Sequence, residues 1–83
     1  AKAMGSLMKE ISKHTQLIAI THLPQIAAKG QSHFKVFKQD TQNTTVTSLK
    51  KLTTQERVEE IAQMLGGKEL SESAIAHANQ LLN

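Results

Sequence analysis

Leu17-Ile18-Ala19-Ile20-Thr21-His22-Leu23-Pro24 decides how this chain is read. Four consecutive apolar residues, without alternation, suit a strand covered on both faces, as in a mostly parallel sheet. The run stops at Thr21-His22, and Pro24 fixes the backbone for the first position of a helix. That helix is expected from Pro24 to Lys29, closed by Gly30. His22 would then lie just beyond the carboxyl end of the strand, where open α/β sheets bind their ligands. A histidine there can donate a hydrogen bond to a phosphate or another anion. It can equally be a turn residue bonded to the local backbone, and the residues alone leave both open.

Upstream of this stretch, Met4, Leu7, Met8 and Ile11 recur at helical spacing while Lys2, Lys9, Glu10 and Lys13 point elsewhere. No Ser, Thr, Asp or Asn precedes them as an N-cap, so the expectation is a chain that starts inside a longer helix. Downstream, His33–Lys38 and Thr44–Leu49 read as two strands. The polar Gln39-Asp40-Thr41-Gln42-Asn43 between them reads as a hairpin loop. Phe34, Val36 and Val46 are the expected inner face, with Lys35, Lys38, Lys50 and Lys51 decorating the hairpin. Thr53-Thr54-Gln55-Glu56 matches a capping box. It opens a helix with Val58, Ile61, Ala62 and Leu65 as its apolar stripe and Gly66-Gly67 at its end. Ser71 can cap a last helix whose buried side carries Ile75, Ala78 and Leu82.

The chain has 83 residues and no cysteine, and its only aromatics are Phe34 and Phe37. Disulfides and thiolate metal sites are therefore excluded. The core must come from aliphatic residues, in a chain of a size that buries only ~60% of its unfolded surface. No apolar run approaches the ~20 residues that span a bilayer, and nothing resembles a signal peptide. A membrane partner is not expected. Residues 1–51 hold eight lysines against Glu10 and Asp40, a net charge of +6, whereas residues 52–83 have a net charge of −3. A basic half can mark a nucleic-acid surface. It can also simply keep a small apolar domain soluble. With nine lysines and one arginine, bidentate base readout is not expected. His14, His22, His33 and His77 show no metal-ligand spacing, so no metal site is expected.

Two stretches carry a family resemblance. Ile18-Ala19-Ile20-Thr21-His22-Leu23-Pro24-Gln25-Ile26-Ala27-Ala28 resembles the switch-histidine loop of the RecN family of bacterial DNA repair proteins, which itself resembles the SMC and ABC-type ATPases. Glu56-Arg57-Val58-Glu59-Glu60-Ile61-Ala62-Gln63-Met64-Leu65-Gly66-Gly67 is similar to a second stretch of the same family, in the same order. A buried strand ending in Thr-His is only moderately specific among ABC-type ATPases. The two stretches together, at this distance, are much more so. The resemblance runs from about Met4 to Leu82 and covers only the end of a much longer family member.

The resemblance implies an α/β fold. Residues 1–83 would be the C-terminal portion of a P-loop ABC-type ATPase head, with one buried strand, a β-hairpin and flanking helices, and with residues 21–25 as the switch-histidine loop. It implies a parent ATPase acting in recombinational repair of DNA double-strand breaks, in the cytoplasm at the nucleoid. ATP and Mg²⁺ would be bound by the full-length protein, with DNA and a second copy of the head, closed as an ATP sandwich, as partners. His22 would be the catalytic, γ-phosphate-sensing residue. No G-x-x-x-x-G-K-[S/T] loop occurs here. The magnesium-binding Asp, the catalytic Glu and the Ser-Gly-Gly signature are also missing. The chain alone is therefore expected to be inactive, to bind no nucleotide, and to self-associate through apolar surface meant for absent neighbours. Arg57, Glu59 and Glu60 are expected on a solvated helix face, without catalytic roles. The alternative reading is a small basic nucleic-acid-binding module without nucleotide chemistry.

Overall fold

The computed structural model describes residues 1–67 and 69–83. Its order is α1 (Lys2–Ile11), α2 (Pro24–Ala27), β1 (Phe34–Asp40), β2 (Thr45–Lys51), α3 (Thr54–Gly66) and α4 (Glu72–Leu82). The strands form one antiparallel hairpin, pairing Phe34 with Lys51, Val36 with Leu49, Phe37 with Ser48 and Asp40 with Thr45. The loop between them is tightened by Thr41, whose backbone N–H donates to Thr44 O at 2.7 Å. Leu52 N–H donates to His33 O at 2.9 Å and extends the ladder beyond β2.

The helices begin where their caps dictate. Thr53 Oγ1 accepts from Glu56 N–H at 3.2 Å, and Glu56 Oε1 accepts from Thr53 N–H at 3.0 Å, closing the capping box of α3. Ser71 Oγ accepts from Ala74 N–H at 3.1 Å at the start of α4. Between them, Gly67 has φ 83° and ψ −150°, a backbone region open essentially to glycine alone. The chain turns back there, so that α4 lies on α3. A side chain on Gly66 would stand 3.2 Å from Ala74 Cβ, which measures how close the two helices come.

The core is this helix pair together with the end of α2. Ala28, Val58, Ile61, Ala62, Ala74 and Ala78 are buried, and Ile61 is the largest side chain fully out of solvent. Ile75, Leu65, Leu81 and Leu82 pack partly against it. The radius of gyration is 14.1 Å, against about 12 Å for a compact chain of this length. The molecule is open rather than closed around one centre.

Two expectations are corrected. Leu17-Ile18-Ala19-Ile20 is not a buried strand: it forms no ladder, and Ile18 and Ile20 are 81% and 101% exposed. A strand is a pairing, and among the described residues the only sheet is the hairpin, whose strands pair with each other. The hairpin's inner face is also not Phe34, Val36 and Val46. Phe34 and Val36 share a face with Leu49, and all three are exposed. The opposite face carries Lys35, half-buried Phe37 and Lys50, and it is drawn to α3 by ion pairs. Lys35 Nζ meets Glu60 Oε1 at 2.7 Å, and Lys50 Nζ meets Glu56 Oε2 at 2.5 Å. Exposed pairs of this kind contribute little, so the hairpin is lightly held.

Apolar surface is correspondingly abundant. Met4, Leu7 and Ile11 of α1, Ile18 and Ile20, and the outer hairpin face all stand exposed. The chain is expected to self-associate as its concentration rises, because unpaired strand edges and apolar faces recruit one another. Burying ~400 Å² per chain would contribute roughly 10 kcal/mol per chain, which exceeds the lower estimates of association cost. Light scattering across a concentration series should report growth in mass. A monomer persisting to millimolar concentration would contradict it.

Candidate functional site

The chain bends at His22, between the unpaired apolar run and α2. Three neighbours shape the bend. Thr21 Oγ1 accepts from Leu23 N–H at 3.0 Å, Leu23 O accepts from Ile26 and Ala27 N–H at 3.1 and 3.0 Å, and Pro24 is buried at the first position of the helix. The residues on either side of His22 are thus tied back to the turn. His22 itself is exposed, and its imidazole makes no hydrogen bond among the described residues. No local backbone group takes up its ring among the described residues. Its ring nitrogens are free to meet an external acceptor.

The helix behind His22 is one turn long, and a single turn does not persist without tertiary support. Two residues supply it, Gly5, which the sequence pattern did not single out, and Arg57, which it placed on a solvated face. Gly5 of α1 is buried against α2: a side chain there would come within 2.8 Å of Gln25 O and 3.5 Å of Ile26 Cα. On the other side, Arg57 of α3 reaches 27 to 30 residues back along the chain. Its Nη2 donates to Ala27 O and Ala28 O, each at 3.1 Å, and to Gly30 O. These carbonyls close the C-terminal end of α2, where orphan acceptors and the helix dipole favour a cation. The expectation of a solvated face at Arg57, Glu59 and Glu60 is therefore corrected. Arg57 is half-buried in a staple, and Glu60 is half-buried in its pair with Lys35.

Beside the staple, His33 is half-buried with Nδ1 unpartnered. Burial first, then the Arg57 charge, lower its pKa from the ordinary 6.5, while Glu60 opposes them. Glu56 moves the same way: the Lys50 ammonium, followed by the Thr53 backbone N–H, lowers its pKa from 4.5 to about 2. Both groups bind protons more readily when unfolded, so each contributes stability that acid removes. The His33 contribution is present above pH 6.5 and falls as the pH drops below it. The Glu56 contribution is present above pH 4.5 and is lost on the way to pH 2. Thermal melts across this range should show two declines with acidification. His33→Gln should flatten the first and Glu56→Gln the second. Unaltered profiles in both variants would contradict the assignment.

Other candidates are weaker. Lys35, Phe37, Lys50, Glu56 and Glu60 line an open cleft between the hairpin and α3, but their charges already satisfy one another. That pairing also lessens the hairpin's positive field and so weakens the nucleic-acid-module reading. Among the described residues, no group of three or more His, Asp or Glu could hold a metal ion, and none of them fits the Mg²⁺ that the resemblance implies. No helix among them is long and apolar enough to cross a membrane.

No protein-family model matches the chain. Individual curated proteins do match it along its whole length. It is 39% identical over 83 residues to the DNA repair protein RecN of Haemophilus influenzae, covering 100% of this chain and 15% of that protein. It is 38% identical over 82 residues to RecN of Vibrio cholerae, covering 99% of this chain and 15% of the relative. RecN of Deinococcus radiodurans is 43% identical over 82 residues, with 99% of this chain and 14% of the relative covered. The chain thus spans about 15% of the length of the relatives it matches, and the matched region is a C-terminal part.

Proposed function

We propose, on the premise that this chain corresponds to a C-terminal part of a RecN-type DNA repair protein, that it supplies the histidine which senses the γ-phosphate of ATP in a repair ATPase. The substrate is ATP with Mg²⁺. The reaction is transfer of the γ-phosphoryl group to water, whose transition state spreads negative charge over the phosphoryl oxygens. His22 is the residue of this chain that touches that charge. A ring N–H, offered from a turn already fixed by Thr21, Leu23 and Pro24, stabilises the developing oxyanion without reorganising at the moment of reaction. The remaining work belongs to the rest of the full-length protein: the loop that cradles the phosphates, the magnesium ligands and the general base. The setting is repair of broken DNA in the cytoplasm at the nucleoid, by a head that pairs with a second copy of itself across the nucleotide.

The observation that carries this reading is the exposed imidazole, unclaimed by the backbone, at the apex of a tied turn. Chemical modification of the full-length protein tests it. His14, His22 and His77 are all exposed and should all react with diethyl pyrocarbonate. A non-hydrolysable ATP analogue with Mg²⁺ should protect His22 and leave His14 and His77 reactive. Equal modification of His22 with and without the nucleotide would refute the contact.

A further inference from the structure

We propose that Arg57 is a positioning residue for His22: by binding the C-terminal end of α2 to α3, it fixes the turn from which the histidine is presented. The functional half of this proposal rests on the γ-phosphate reading of His22. The structural half stands on the hydrogen bonds themselves.

His22 is two residues before α2, and beyond the Thr21–Leu23 bond the tethers on its turn lead into that helix. Leu23 accepts from Ile26 and Ala27, and Ala28 N–H donates to Pro24 O at 2.9 Å. If α2 frays or rotates, the His22 turn goes with it. Fraying is the default for four residues, and the helix has neither an N-cap side chain nor a basic residue of its own in its last turn. Arg57 brings the missing cation from a different element. One of its two terminal nitrogens, Nη2, shares its two N–H groups among the carbonyls of Ala27, Ala28 and Gly30, so it clamps both the last turn of α2 and the exit from it. The backbone of Arg57 is in turn anchored. Val58, its neighbour on α3, is buried in the core, and the capping box fixes the start of the helix just before it. The staple thus joins the two stretches, residues 18–28 and 56–67, whose pairing at this distance marks the sequence. A shift of the order of 1 Å at a group acting on a transition state can cost ~100-fold in rate, so a clamp of this kind has an effect on kcat.

The test uses the full-length protein with Arg57→Ala, Arg57→Lys and His22→Ala. Hydrogen–deuterium exchange is followed for residues 21–30 and, as an internal control, for residues 72–82 in α4. Arg57→Ala should accelerate exchange about tenfold in 21–30 and leave 72–82 unchanged, as for a local rather than a global opening. It should lower kcat about tenfold while KM for ATP stays within about threefold, because the phosphate contacts lie elsewhere. Arg57→Lys, which keeps the charge without the planar fork, should restore part of both effects. Unchanged exchange in 21–30, or equal acceleration in 72–82, would overturn the positioning role. So would an unchanged kcat beside accelerated exchange, since His22 would then not need fixing. If His22→Ala itself leaves kcat intact, the γ-phosphate reading fails, and the exchange arm alone decides whether Arg57 holds the turn.

Discussion

Ile61→Ala should leave most of the chain unfolded at 25 °C. Among the described residues Ile61 is the one large side chain with no solvent exposure, and it lies where Val58 and Ala62 of α3 meet Ala74 and Ala78 of α4. Removing three of its carbons loses their transfer energy and leaves a cavity that the alanines around it are too small to fill. Such changes cost about 2–5 kcal/mol. A core of this size rarely supplies more than about 3–5 kcal/mol in all. Ile75→Ala removes the same atoms from a partly exposed position and should cost clearly less. Urea unfolding followed by circular dichroism at low protein concentration compares the two. A midpoint for Ile61→Ala equal to that of the parent chain would mean that the helix pair is not the seat of stability.

His22→Ala in the full-length protein should slow ATP hydrolysis by a factor of roughly 10 to 1,000, the scale of removing one transition-state donor. That range corresponds to about 1.4–4 kcal/mol of activation free energy. The loss should fall on kcat. A histidine presented from a bend beside a one-turn helix can make one hydrogen bond to a phosphate oxygen, which is a small part of what a phosphate-binding loop and a bound magnesium ion contribute to ground-state affinity. The same bond strengthens as charge accumulates on the oxygens, and only that difference accelerates the reaction.

The elements that were legible in the sequence are those specified by neighbours along the chain. Thr53 and Glu56 close a box across three residues, Ser71 caps α4, Gly67 turns the chain, and the polar stretch around Thr41 folds the hairpin. The place of His22 at the end of an apolar run, with Pro24 behind it, was legible for the same reason. What the sequence concealed depends on distant partners. Leu17-Ile18-Ala19-Ile20 has a composition that suits burial on both faces, but a composition cannot provide the strands that would flank it, and in this chain it lies open. The facing of the hairpin was concealed because Lys35 and Lys50, which pattern reading places outward, lie toward α3 to reach Glu60 and Glu56. Arg57 was concealed most fully, since its acceptors lie 27 to 30 residues away and are backbone carbonyls that no residue type announces. One signal was available: Arg57 is the single arginine in a chain whose other basic residues are all lysine, a choice that favours a weakly hydrated cation suited to partial burial over a strongly hydrated point charge.

The most direct measurement is a single-turnover comparison of the full-length protein with its His22→Ala variant, with ATP affinity measured on the same samples. The predicted result is a hydrolysis rate lowered at least tenfold, with the dissociation constant for Mg²⁺-ATP changed by less than about threefold. Hydrolysis at the parental rate would contradict the assignment of His22 to the γ-phosphate, whatever the affinity.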